Sequence, residues 1–301
     1  MNPRLSVVIS AYNAESTVGE AVRAIVTQLL PHDTCECIVV DDGSHDRTAE
    51  IAERAGAIII RLQQNQGIGA ARNAGVERAR GEWIAFTDAD CVPSRRWLLT
   101  LLAAAQTADR STLGLAGKTL GLDSNTPATR FMDLIGALDA EIYLQSDVMP
   151  WAPGCNLVCR RTDLLAVGGF DPIFRSYETA ELEWRLGERF GGRITYVPTA
   201  IVMHRHRPTW RTLWIQQRNY GDGYAQFLLR HVDRWPWSAG REAGAWLRLL
   251  ILAAQAAVSS GEQGLVRRGL LVKHLAQRIG FASTYFSLRE RRHANKPNTR
   301  A

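Results

Sequence analysis

The chain has 301 residues, room for one large domain or two small ones. Apolar types make up 46% and charged types 22%, an ordinary globular composition that excludes a disordered or fibrous chain. The net charge of +6 is uneven: residues 235–301 hold 11 basic and 3 acidic side chains, net +8, and the preceding 234 residues hold 25 and 27, net −2. A near-neutral body argues against a nucleic-acid partner, whereas the basic tail suits something anionic.

The elements alternate from the start. Leu5 to Ser10 is a β-branched run, followed by the polar turn Ala11-Tyr12-Asn13 and a helical pattern from Glu15 to Leu30. Cys37 to Asp41 is a second run, then Gly43-Ser44 and a helix from Asp46 to Ala55. Ala57 to Leu62 is a third, with a helix from Gly69 to Ala79, and Trp83 to Thr87 is a fourth. Continuous apolar runs of this length, separated by helices, indicate parallel strands buried on both faces. The predicted class is α/β, with ligands at the carboxyl ends of the strands. Further on, helices are expected over Trp97 to Ala108, Ala128 to Gln145 and Ala180 to Phe190, and strands over Leu113 to Gly117, Asn156 to Arg160 and Ile194 to Val197. Past Pro208 the chain turns helical and basic, with Pro236 as a boundary.

Five cysteines (35, 37, 91, 155 and 159) form no C-x-x-C pair, which points to reduced thiols in a cytosolic setting. The N-terminus carries no apolar leader, and no stretch reaches the about 18 uncharged apolar residues of a membrane span.

Three polar motifs sit at strand ends. Asp88-Ala89-Asp90 puts two carboxylates one residue apart after the fourth strand, a pattern that can hold Mg²⁺ or Mn²⁺ against a diphosphate and also describes a solvated turn. Asp41-Asp42-Gly43-Ser44 ends the second strand; a carboxylate there can accept a nucleobase N–H, while glycine and serine serve a tight exit and a helix cap. Gly67-Ile68-Gly69-Ala70-Ala71-Arg72 follows the third strand and has arginine where a dinucleotide fingerprint needs its third glycine, so that reading is rejected. Arg72 fits a phosphate ligand or an ordinary surface arginine equally.

These motifs together resemble glycosyltransferase family 2, whose fold is GT-A. The resemblance runs over about residues 4–225 through Ser10-Ala11-Tyr12-Asn13 with Glu15, Asp41 to Thr48, Asn65 and Gly67, Arg72 to Gly75, Asp88-Ala89-Asp90, Gly154-Cys155-Asn156, Gly168 to Asp171, Trp184-Arg185-Leu186 and His204. It implies an inverting, hexosyltransferase-like enzyme that uses a nucleoside diphosphate sugar, UDP-linked above all, and a glycan or lipid-linked acceptor for surface polysaccharide. It implies a donor cradle at Ser10, Ala11, Tyr12, Asn13 and Glu15, base recognition by Asp42, and donor contacts from Arg72, Asp88 and Ala89. Mg²⁺ or Mn²⁺ would sit at Asp90 with His204; His206 has no such support.

One position departs from the pattern. The family carries Glu-Asp before its Trp-Arg-Leu helix, with the aspartate as base, and here the pair is Glu178-Thr179. Thr179 cannot be a general base at ordinary pH, so Glu178 or Glu181 is the candidate catalytic carboxylate. A chain that binds nucleotide sugar without catalysis is the alternative. The expected layout is a GT-A domain over residues 1–234 and a basic helical segment over 235–301. In that segment Leu270, Leu271, Leu275, Ile279, Ala282 and Phe286 share one helical face, with basic residues opposite. The layout suits peripheral contact with an anionic membrane, at its cytoplasmic face, or packing against protein.

Overall fold

The computed structural model describes residues 4–28, 34–146, 149–234 and 238–294. Eight strands, β1 (Leu5–Ala11), β2 (Cys35–Asp41), β3 (Ile58–Arg61), β4 (Trp83–Asp88), β5 (Cys91–Pro93), β6 (Thr112–Gly121), β7 (Leu157–Arg160) and β8 (Arg193–His204), form one sheet in the order β3-β2-β1-β4-β7-β6-β8-β5. The first four strands pair in parallel, as expected. The sheet then turns mixed: β7 runs antiparallel between β4 and β6, and β8 lies parallel to β6 while pairing antiparallel with β5.

The apolar runs are continuous because both faces of the sheet are covered. Leu5, Val7 and Ile9 enter one core beneath helices α1 (Val18–Val26), α2 (Thr48–Arg54) and α4 (Trp97–Thr107). Val8, Ile38, Val40, Ile84 and Phe86 enter the other, beneath α3 (Ile68–Arg78), α7 (Arg161–Ala166) and α8 (Glu178–Phe190). Helix α3 lies so close to β1 that a Cβ at Gly75 would come within 2.3 Å of Val8. With every strand of this half pointing its carboxyl end the same way, the loops after β1, β2 and β4 gather at one edge.

Where one helix was expected over Ala128 to Gln145 there are two, α5 (Pro127–Leu134) and α6 (Ala140–Leu144). Gly136 and Leu138 between them take positive φ values, which no helix accommodates. Helix α8 starts two residues before the expected Ala180, directly after Tyr177, whose left-handed φ of 68° turns the chain into it.

The chain forms two compact units, residues 4–123 with 136–206, and residues 124–135 with 207–294. The anticipated boundary at Pro236 lies outside the described residues. The second unit is helical: α5, α9 (Trp210–Arg230), α10 (Ala239–Ala257) and α11 (Gly261–Ala294). Its core joins Ala225 and Leu229 of α9 to Phe281 and Tyr285 of α11. The expected apolar face of α11 is therefore not the buried one; Ile279 and Phe286 stay exposed while Ala276, Phe281 and Tyr285 face inward. None of the described helices is long and apolar enough to cross a membrane.

Candidate active site

The loops after β1 and β2 are laced together by backbone donors. Asn13, in a left-handed conformation, donates its N–H to Ser44 Oγ (2.9 Å) and accepts from the His45 N–H at Oδ1 (2.9 Å). The Ala14 N–H reaches Thr48 Oγ1 (2.7 Å), and the ring of Tyr12 meets His45 edge-on. Glu15 is exposed and pairs with Arg47 at 3.5 Å. Gly43 has φ +73° and sits so near Gln64 that a Cβ would lie 2.6 Å from its backbone, so no other residue fits this turn. Asp41 accepts from the Ser44 N–H. Beside it a cleft of ≈ 340 Å³ is bordered by Asp41, His45, Arg47 and Arg61.

Asp42 is buried, and its two carboxylate oxygens accept from the backbone N–H groups of Gln66 (2.7 Å) and Gly67 (2.8 Å). Its first task is to hold the β3–α3 loop against the end of β2. Ser10 and Ala11 lie at the end of β1, Ala11 buried; Ala89 is buried in the core beneath α4 and offers only backbone to the edge.

Arg72 is not a surface residue. It is 2% exposed, projects from α3 beneath the strand ends, and lies over the rings of Phe86 and Phe170. Its Nη2 donates to Asp88 Oδ1 (3.0 Å), and its Nη1 to Glu178 Oε1 (2.6 Å) and Thr179 Oγ1 (3.2 Å). Burial alone disfavours the charge, but Asp88 and Glu178 overcome it and raise the guanidinium above its ordinary range. One buried cation thus ties the first carboxylate of Asp88-Ala89-Asp90 to the start of α8.

At the other end of that motif, Asp90 Oδ1 lies 3.7 Å from His204 Nε2 at the end of β8. His204 Nδ1 lies 3.2 Å from His206 Nδ1, so the second histidine settles which His204 nitrogen faces Asp90. Cys91 belongs to the same cluster, and Asp88, Cys91 and Cys155 form another. Burial holds the Cys91 thiol well above its usual range, and sulfur is a poor match for a hard divalent cation. A carboxylate and an imidazole remain, a donor set that fits Mg²⁺ or Mn²⁺ with the rest of the shell left to phosphate and water.

Helix α8 carries three buried glutamates with different environments. Glu178 accepts at Oε1 from Arg72 and from the Thr179 hydroxyl (3.0 Å), while its Oε2 takes no hydrogen bond among the described residues. Glu181, 1% exposed, is gripped by Arg185 through Nε and Nη2 at 2.7–2.9 Å, and Arg185 also donates to the carbonyls of Val167 and Gly169. Its carboxylate is engaged in anchoring α8 to the preceding loop. Glu183 accepts from the Ala152 N–H at Oε2, and its buried Oε1 has no partner among the described residues. Burial pushes its carboxyl well above the usual range.

The glycosyl transferase family 2 profile matches residues 6–167, more than half of the chain. The chain belongs to glycosyltransferase family 2. The chain is 31% identical over 239 residues to the pre-mycofactocin glycosyltransferase of Mycobacterium tuberculosis, a match covering 76% of this chain and 48% of that protein. It thus spans about half the length of that relative. Among solved structures it resembles the mannosyltransferase PcManGT of Pyrobaculum calidifontis in complex with GDP-Man and Mn²⁺ (TM-score 0.66, 19% identity, 95% of this chain and 88% of that one). It also resembles glucosyl-3-phosphoglycerate synthase of Mycobacterium tuberculosis in complex with Mg²⁺ and UDP (TM-score 0.58, 20% identity, 76% and 79%). The chain has the GT-A fold.

Two features of the site had no signal in the sequence. His206 is set against His204 only by the geometry after β8. The link from Arg72 to Glu178 crosses 106 residues of chain. Asn156, part of the matched Gly-Cys-Asn stretch, is structural: its side chain accepts from Trp97 Nε1 and donates to the carbonyls of Lys118 and Ala200.

Proposed function

We propose that the transferase moves a sugar from a nucleoside diphosphate sugar to an acceptor hydroxyl with inversion at the anomeric carbon. One observation carries this reading: Asp88, Asp90, His204 and Glu178 converge at one edge of the sheet, with Arg72 joining two of them. The solved neighbours support a nucleotide donor, since one holds GDP-Man and the other UDP. A UDP-sugar is the donor to try first, and a glycan or lipid-linked glycan for surface polysaccharide the acceptor class. The loops at Ser10 to Glu15 and Asp41-Asp42 would receive the nucleoside end.

Direct displacement requires neutralisation of the leaving diphosphate and a base on the acceptor's side of the sugar. Asp90 and His204 would hold the divalent cation, which supplies that neutralisation. Asp88, oriented by Arg72, faces the donor. Glu178 takes the acceptor proton at Oε2 while Arg72 and Thr179 hold Oε1, so the carboxylate keeps one geometry as the proton arrives. Thr179 replaces the family's base and serves Glu178 instead.

The basic second unit would bring the enzyme to an anionic membrane, where a lipid-linked acceptor resides. A panel of nucleotide sugars, screened with Mn²⁺ for binding and for release of nucleoside diphosphate, tests the reading. Metal-dependent binding with turnover supports it. Binding with no transfer and no slow donor hydrolysis would identify a nucleotide-sugar binding protein, the reading that Thr179 favours if Glu178 is not a base.

A further inference from the structure

Helix α10 of the second unit has an unusual division of faces. Ala245, Leu249 and Ala256 point into the unit and are buried. A polar opposite face is the rule for a surface helix. Here that face carries Trp246, Leu247, Leu250 and Ile251, with Val258 directly after the last turn, and the positions between them on it are alanines. These side chains are open to solvent, Leu250 at 69% and Val258 at 85%. Contiguous apolar surface of this kind marks an interaction site in a folded protein.

The chemistry around the stripe says what covers it. Arg248 is exposed on its flank, and the two acidic side chains described for α10 and α11 are already paired, Glu242 with Arg278 and Glu262 with Arg130. Arg248 and Arg268 therefore stand exposed with no carboxylate near enough to pair with them among the described residues. An apolar stripe beside uncompensated positive charge is complementary to an acyl layer beneath anionic headgroups. A second protein is a poorer match. A stable interface takes roughly 20–30 residues a side, and one convex helix offers five large apolar side chains. Trp246 at the edge of the stripe has the ring that favours the headgroup level.

We infer that α10 docks the enzyme on an anionic lipid bilayer by laying this stripe into the interface, parallel to the membrane plane. The inference rests on the membrane contact in the proposed function and moves it from α11, where the sequence pattern placed it, to α10.

The test is co-sedimentation of the full chain with vesicles of phosphatidylcholine and phosphatidylglycerol at 7:3, against phosphatidylcholine alone, over a salt series. The expected result is binding to the anionic vesicles that weakens as salt rises, and at least tenfold weaker binding in a Leu247→Ser/Leu250→Ser variant. That variant should keep the thermal midpoint and Mn²⁺-dependent nucleotide binding of the wild type, because both positions are exposed. If the wild type binds and the variant binds equally, membrane contact stands but the α10 stripe is not its site. If the wild type ignores anionic vesicles at low salt, membrane contact itself fails. If sedimentation velocity without lipid shows a dimer that the variant dissolves, the stripe belongs to a second copy and the inference is overturned.

Discussion

The hydroxyl of Thr179 donates to Glu178 Oε1 across 3.0 Å, and Arg72 Nη1 reaches that same oxygen at 2.6 Å. One oxygen of the carboxylate is therefore fixed by two donors and the other is left for substrate. Thr179→Val removes one donor without changing the side-chain volume much. A hydrogen bond to a charged group is worth about 1.5–3 kcal/mol, so turnover should fall by about 10- to 100-fold with donor KM nearly unchanged. Thr179→Ser should restore most of it. Equal activity in the valine and serine variants would show that the hydroxyl does not position the base.

The two candidate carboxylates separate by what they hold. Glu178→Gln should cut turnover by about 10²–10⁴, the usual contribution of general base catalysis, and spare donor affinity. Glu181→Gln should lower thermal stability instead, by about 1–3 kcal/mol, because it weakens the buried grip of Arg185. Steady-state kinetics together with thermal melts distinguish the two; the reverse pattern would move the base to Glu181.

Arg72 has a double duty. Arg72→Met removes the positive partner of Asp88 and Glu178 at once and leaves two partly buried carboxylates side by side. Removing one partner of a buried pair costs about 3–5 kcal/mol, so this variant should melt earlier and lose activity together. Arg72→Lys keeps the charge but not the fork that spans both acids, and should recover stability better than turnover.

Glu183 sets a pH dependence of stability that can be signed. Burial raises its folded carboxyl well above the usual range. Below roughly pH 4.3, where an unfolded glutamate titrates, both states are protonated and the group's stabilising share is intact. As pH rises toward the folded value, the unfolded chain releases its proton first and folding loses stability. Glu183→Gln abolishes that loss. Its melting point should exceed the wild type's at pH 7–8, and the advantage should shrink toward pH 4. A difference that is constant across this range would mean that Glu183 is ionised in the fold.

The parallel half of the fold was legible because its strands are buried on both faces and their apolar runs are unbroken. Asp88 and Asp90 were legible at a strand end, whereas His204 came only with the family resemblance, because β8 runs on past the expected Val197 to that residue. What stayed hidden depends on distance in sequence. Nothing local announces that Arg72 on α3 meets Glu178, or that Leu157–Arg160 inserts antiparallel between β4 and β6. The periodicity of the tail was real, but amphipathic spacing does not reveal which of two helices is buried: α11 spends Phe281 and Tyr285 on α9, and α10 keeps Leu247 and Leu250 outside.

The most direct measurement is calorimetric titration of the full chain with UDP and with GDP-mannose, in Mn²⁺ and in EDTA, for the wild type and for Asp90→Ala. At least one nucleotide should bind the wild type in Mn²⁺ and lose at least tenfold in affinity in EDTA, and Asp90→Ala should show the weak EDTA value in both buffers. Binding that ignores both EDTA and the loss of Asp90 would contradict a divalent-cation site at Asp90 and His204.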